Sequence, residues 1–274
     1  MPQNVKITKW KNTFGRVLLF CIFCALILII VSPLTKGLAK PWSEIVLALT
    51  ASLAVYGLTI LFVRFEKLQL REVGVVPSKG TILHVVKGFI IGLILAGVHA
   101  GLMMAYGHLD FVWNQTNTIS GTLLMFVLYT LIAIREELAF RGYALRSLDY
   151  VIGSWKAQLI IALIFSLEHV AGGYTWQQAF LGAGTGAILF GIAALKTKGI
   201  ALPIGIHIAW NFGQWCVGLK NEPGIWQASI EKGYESKYEQ ASLVFYLVLM
   251  LITITIFYIY RPPAEIISDS DKNS

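Results

Sequence analysis

Eight apolar runs constrain what this chain can become. They cover roughly residues 17–31, 44–63, 82–106, 119–147, 156–171, 177–195, 199–218 and 241–260, with polar or basic connections between them. A helix needs about 20 predominantly apolar residues to cross the hydrocarbon core of a bilayer. Inside that core every backbone amide must find its partner within the segment, so helices are the spanning element for runs of this length. The pattern predicts an all-α protein, a polytopic membrane bundle of about eight transmembrane helices forming one domain over residues 17–261. The fifth run is short enough to be tilted or partly re-entrant. Residues 1–16 are polar and basic, and no small-residue cleavage site follows, so the first run reads as a signal anchor. Pro262-Pro263 ends the last helix, the tail 262–274 reads as disordered, and no lipidation signal closes the chain.

Composition excludes the ordinary soluble classes, because 56% of the 274 residues are hydrophobic and only 14% are charged. The net charge of +7 comes from basic residues placed between the apolar runs, not from a patch interleaved with aromatics. Membrane topology accounts for it, and nucleic acid is not an expected partner. With the N-terminus inside, fourteen Lys and Arg residues fall on inside segments and five on outside loops. That bias predicts both termini cytoplasmic, and the expected location is as an integral protein of a bacterial plasma membrane. Cys21, Cys24 and Cys216 all lie in apolar runs and read as core packing, not as a redox pair or disulfide framework. Gly88-x-x-x-Gly92, Gly97-x-x-x-Gly101 and Gly182-x-x-x-Gly186 each permit close helix approach.

Against this background the stretch Arg135-Glu136-Glu137-Leu138-Ala139-Phe140-Arg141-Gly142 follows directly on the apolar Ile119–Ile134. Ionisable groups there cost several kcal/mol in lipid unless they are paired or face water, so they mark function by default. On a continuous helix Glu137 and Arg141 share a face at i,i+4 and pair, which leaves Glu136 as the free carboxylate. Two more polar groups interrupt apolar helices. Phe165 and His169 are one turn apart, and so are His207 and Asn211. Taken singly, each His or Asn is as good a helix–helix hydrogen-bonding residue as a ligand.

Depth joins them. From the inside face, Glu136 lies about 18 Å along its helix, His169 about 20 Å and His207 about 14 Å, at 1.5 Å per residue. Three separate segments thus bring polar groups to a similar level, which predicts one buried site. Such a set suits hydrolysis, with a desolvated Glu136 as general base acting on water. His169 and His207 then either ligate a metal that acidifies the water, or join Asn211 in hydrogen-bonding the water and the developing oxyanion without one. Two His are fewer than the three ligands usual at catalytic zinc. No Ser or Cys nucleophile with an evident base accompanies the acidic site. His84, His99 and His108 read as structural or solvated, and aromatic residues at segment ends fit an interfacial belt.

In order, Glu136-Glu137-x-x-x-Arg141, Phe165-x-x-x-His169 and His207-x-x-x-Asn211 resemble the three motifs of the CaaX protease and bacteriocin-processing (CPBP, or Abi) family. These are intramembrane endopeptidases that include the eukaryotic Ras-converting CaaX protease. The likeness covers about 135–215, inside a catalytic core at about 119–218. It implies Glu136 as catalytic base, His169 as the residue binding water or metal, and His207 and Asn211 completing the site and its oxyanion contacts. Glu137 and Arg141 are implied as supports. The family is usually labelled metalloprotease, which implies a divalent metal such as zinc on His169 and His207, although a metal-independent glutamate mechanism is also proposed for it. The expected partners are membrane lipids and a membrane-associated peptide, lipoprotein C-terminus or leader, cleaved near the cytoplasmic side. Two rivals keep the membrane fold. One is a non-proteolytic bacteriocin-immunity or scaffold protein. The other is a transporter with a Glu–His proton relay, which calls for inverted repeats that the sequence does not show. Glu168, beside His169, is expected to face another helix.

Overall fold

The computed structural model of the protein describes residues 10–220 and 222–259. The elements run α1 (Trp10–Thr35), α2 (Trp42–Phe65), α3 (Thr81–Tyr106), β1 (Leu109–Trp113) and α4 (Ile119–Glu137), followed by a π-helical segment (Leu138–Ala144) and α5 (Leu145–Ile152). Then come α6 (Ser154–Ala171), a second π-helical segment (Gln178–Ala183), α7 (Gly184–Thr197), α8 (Ala201–Cys216), β2 (Trp226–Ile230) and α9 (Glu235–Ile259). With each π-helical segment joined to the α-helix it continues, the described residues form eight helical rods, one for each apolar run. The fold is the expected all-α membrane bundle. The first helix begins at Trp10, ahead of the expected start. The Pro262-Pro263 stop, the polar tail and residues 1–9 of the basic N-terminus lie outside the described residues.

The span count is corrected. Among the described residues, five helices are long and apolar enough to cross a membrane, at 12–35, 42–65, 81–106, 178–197 and 235–259. The three rods that fall short are the ones that carry site residues. The α4 rod holds Arg135, Glu136 and Glu137, α6 holds Glu168 and His169, and α8 has only 16 residues, or about 24 Å of rise. The polar residues themselves are shielded, since Glu136, Glu137, His207 and Asn211 are buried, while α4 and α6 still expose apolar side chains such as Leu123 and Leu159, as α1, α2, α3 and α9 do.

Two packing relations set the position of the site. The first is a parallel crossing of α3 and α8. A Cβ on Gly88 would strike the Leu202 carbonyl, one on Gly92 the Ile206 carbonyl, and one on Gly205 the Val85 carbonyl. Backbones can meet so closely only where side chains are absent. Of the three glycine pairs in the sequence, Gly88 and Gly92 make this crossing, whereas Gly97, Gly101 and Gly182 face open space. The second relation is an aromatic cluster of Phe20, Phe62 and Tyr143, with ring centroids 4.9–5.4 Å apart, which packs α1 and α2 onto the π-helical segment after α4. Cys21 and Cys24 are buried beside it as packing residues.

The loops sort onto two faces. One carries the start of α1, the connection 66–80 and the turns at 153 and 198–200, tied together by Arg16–Glu66, Ser147–Glu66 and Ile200–Gly74 contacts. The other carries the connections 36–41, 107–118, 172–177 and 217–234. There β1 and β2 pair antiparallel, Leu109 against Ile230 through Trp113 against Trp226, so two loops far apart in sequence close over one end of the bundle.

Candidate active site

Glu136 and Glu137 end α4, and the helix does not stop there. It widens into the π-helical segment and kinks at Gly142 (φ −75°, ψ −115°), where an added Cβ would lie 2.9 Å from Val75. Such widened turns often occur at functional sites, because they re-aim side chains without ending the helix. Here Arg141, fully buried, comes back beside Glu137 with Nη1 3.5 Å from Glu137 Oε1. Its guanidinium also lies over Phe165 at 4.6 Å and Phe190 at 5.4 Å, a favourable cation–π environment for a charge that water cannot reach.

His207 enters between the two acids. Its Nδ1 donates to Glu137 Oε1 at 2.9 Å, and its Nε2 lies 3.7 Å from Glu136 Oε2. The ring stacks on Phe190 with centroids 4.7 Å apart. A carboxylate on Nδ1 selects the tautomer and orientation of an imidazole, so Glu137 and Phe190 between them fix where Nε2 points. On α6, His169 Nδ1 donates to the Phe165 carbonyl at 2.9 Å, which likewise leaves its Nε2 free. The ring packs on Phe165 and Tyr174 in the last turn, where Gly172 and Gly173 end the helix.

Glu136 is not the free carboxylate the sequence suggested. Arg135 Nη2 donates to its Oε1 at 2.6 Å, while Arg135 Nη1 donates to Glu168 Oε1 at 3.1 Å. Arg135 therefore bridges two acids from α4 and α6. Glu168 does not merely face another helix, because it is the second anchor of this guanidinium. Asn211, one turn beyond His207 on α8, accepts from Lys220 Nζ at 2.8 Å through Oδ1.

Glu136, His169, His207, Asn211, Arg135 and Lys220 all line one cavity of about 1340 Å³. The six residues singled out from the sequence thus meet in one polar core, with Glu137 and Arg141 buried behind the wall and the other four on it. Sequence reasoning left out Arg135, Glu168 as its partner, and Lys220. The loop residues on the cavity wall, among them Tyr174, Thr175, Gly218 and Gln227, come from the face closed by β1 and β2. None of the lining residues comes from the connections 66–80, 153 or 198–200. The cavity reaches the face opposite the start of α1, so the expected cleavage near the cytoplasmic side is incompatible with a cytoplasmic N-terminus. The reason is geometric: His169 and Asn211 lie near the ends of α6 and α8 that point to that far face.

His169 and His207 were also candidate zinc ligands. Each spends Nδ1 on a hydrogen bond and keeps one nitrogen, and Glu136 is held by Arg135. Among the described residues no three His, Cys, Asp or Glu side chains form a group that could hold a metal ion, whereas catalytic zinc takes three protein ligands. Each imidazole keeps Nε2, as a metal-binding imidazole does when its other nitrogen is hydrogen-bonded, but two such nitrogens are one short of the usual catalytic zinc set, and no step below runs through a metal.

The fold and the site define a polytopic helical membrane protein with a buried pocket of acids and imidazoles. Against models of known families, residues 117–213 match the Rce1-like type II CAAX prenyl endopeptidases, in agreement with the resemblance carried by the three motifs. At family level the match supports an intramembrane protease. A search of curated proteins finds no match.

Proposed function

We propose that this chain is an intramembrane endopeptidase of the CaaX type in which Glu136 activates water. The Glu136 carboxylate takes a proton from a water lodged in the cavity beside its Oε2 and the imidazole nitrogens. The water oxygen adds to the substrate carbonyl carbon, and the oxyanion receives hydrogen bonds from the site's N–H donors, with Asn211 Nδ2 in that role. Collapse breaks the C–N bond, the proton held by Glu136 passes to the leaving nitrogen, and the products are a carboxylate and an amine. No acyl-enzyme forms. The 3.7 Å between Glu136 Oε2 and His207 Nε2 is too long for a direct hydrogen bond, and both atoms belong to residues that line the cavity, where one water lodged beside them contacts the pair.

The observation that carries this reading is the shared cavity: an acid from α4, imidazoles from α6 and α8, and an amide from α8 on one wall, walled off by apolar helices. Oxyanion donors in such surroundings contribute about 10²–10³ in rate. A lipid-borne peptide or a membrane-tethered C-terminus is the substrate class such a pocket serves. The test compares terminal peptides in membranes from cells making the wild-type protein with those making Glu136→Gln. A protein terminus that is processed only with the wild type supports the reading. Identical termini in the two membranes sink it and leave a binding role, as in an immunity or scaffold protein.

A further inference from the structure

The end of α8 is built to return the chain onto its own last turns. Gly218 N–H donates to the Trp215 carbonyl and Leu219 N–H to the Gln214 carbonyl, the paired bonds of a Schellman motif. Gly218 takes φ +76°, and a Cβ there would meet Ala228 N at 2.7 Å and Trp226 O at 2.8 Å, so the turn is pressed under β2. Two residues later Lys220 folds back nine positions and donates from Nζ to Asn211 Oδ1. Among the described residues no carboxylate forms an ion pair with this ammonium, although it lines the same cavity as Glu136.

This contact settles the orientation of an amide. A lysine can only donate, so the Asn211 oxygen must face it, and the two N–H donors of Nδ2 are turned away. Without that constraint an amide can flip and present its oxygen to a developing oxyanion, which would repel it. We infer that Lys220 is a positioning residue for the proteolytic site, holding Asn211 with its N–H donors toward the reacting carbonyl and adding a positive charge behind them. The inference rests on the hydrolytic reading above, and it assigns a function to the turn at 217–220, which the three sequence motifs do not contain. Burial holds the Lys220 ammonium below the usual lysine range, while Glu136 and Glu222 act in the opposite sense, so the charge sits within the field of the acid.

The test uses the full chain in nanodiscs and, as probe, a quenched peptide spanning the cleavage site found in the Glu136→Gln comparison. Lys220→Met should lower kcat about 10- to 100-fold with KM within about threefold, a fraction of the loss expected for an oxyanion donor itself. Lys220→Arg should recover most of the rate. In an Asn211→Ala background, Lys220→Met should cost nothing further, since the group it orients is gone. An unchanged kcat in Lys220→Met, full additivity with Asn211→Ala, or an Arg variant as poor as Met would overturn the assignment while leaving Glu136-dependent cleavage intact. Absence of any Glu136-dependent cleavage removes the underlying reading, and this inference with it.

Discussion

His207 Nδ1 donates to Glu137 Oε1 across 2.9 Å, joining two buried residues 70 positions apart. The same carboxylate oxygen lies 3.5 Å from Arg141 Nη1, so one acid serves an imidazole and a guanidinium at once. Removing one partner of a buried ionic set costs about 3–5 kcal/mol, because the charge left behind has no water to turn to. Glu137→Ala should therefore lower the melting temperature strongly and abolish activity. Glu137→Gln keeps the shape and an acceptor oxygen but not the charge. It should fold, with a smaller loss of stability, and retain only a few percent of the wild-type rate. Thermal unfolding in detergent together with a cleavage assay separates the two effects, and wild-type stability in Glu137→Ala would show that the set is not mutually dependent.

Arg135 makes a second prediction, on an asymmetry. It donates to Glu136 at 2.6 Å and to Glu168 at 3.1 Å, and Glu168 is the more exposed of the two acids. Charge-assisted bonds shorten and strengthen with burial and good geometry. Arg135→Met should reduce kcat more than about tenfold by releasing the Glu136 carboxylate, whereas Glu168→Gln should cost less than about fivefold. Equal losses would mean that Arg135 serves chiefly to tie α4 to α6.

The α3–α8 crossing holds His207 and Asn211 against the rest of the site. Any side chain at Gly205 has to displace the backbone around Val85, and overpacking of this kind typically costs about 1–3 kcal/mol. Gly205→Ala should lower both stability and activity. Gly97→Ala, whose new methyl group meets nothing within 4 Å, should change neither. Melting curves of the two variants in the same detergent provide the comparison.

Much of this arrangement was legible in the sequence, for a physical reason. Lipid penalises polar groups so heavily that Glu136, His169, His207 and Asn211 were conspicuous, and helix rise alone brought them to one level. Arg135 escaped notice because neighbours on a helix point about 100° apart and are not expected to pair. A long guanidinium spans that angle when a second acid on α6 draws it across. Lys220 could not be found from periodicity at all. It reaches Asn211 only through the turn at Gly218, and that turn is held by β2, whose partner strand lies more than a hundred residues earlier. The strands themselves are five residues each, too short to signal against the apolar runs around them. The span count was overestimated for the same reason the site was visible, since polar site residues in α4 and α6 lower the membrane signal of the rods that carry them.

The assignment of Lys220 has a consequence for pH. Its ammonium, held by burial below the ordinary lysine value of 10.5, is the form that orients Asn211. Activity that depends on it is present below the lowered value and is lost as pH rises through it. The alkaline limb of kcat should therefore fall before pH 10.5 in the wild type. In Lys220→Arg it should move upward, because a guanidinium stays protonated beyond pH 12. A pH–rate profile with the same alkaline limb in both proteins would assign that limb to another group.

The final prediction concerns sidedness, where two readings of the same chain pull apart. Of the fourteen basic residues set against five by the sequence, the ten that are described lie on the face that carries the start of α1, which by the positive-inside rule is cytoplasmic. The cavity reaches the opposite face, through the loops at 172–177 and 217–228. If the charge rule holds, the site takes substrate from the non-cytoplasmic side of the bilayer. Single cysteines at exposed Thr116 and Ser78, in a background lacking Cys21, Cys24 and Cys216, decide between them. Thr116→Cys should react with a membrane-impermeant maleimide in intact cells, and Ser78→Cys only after permeabilisation. The reverse pattern would turn the cavity toward the cytoplasm and show that the Lys and Arg bias does not set the orientation of this bundle.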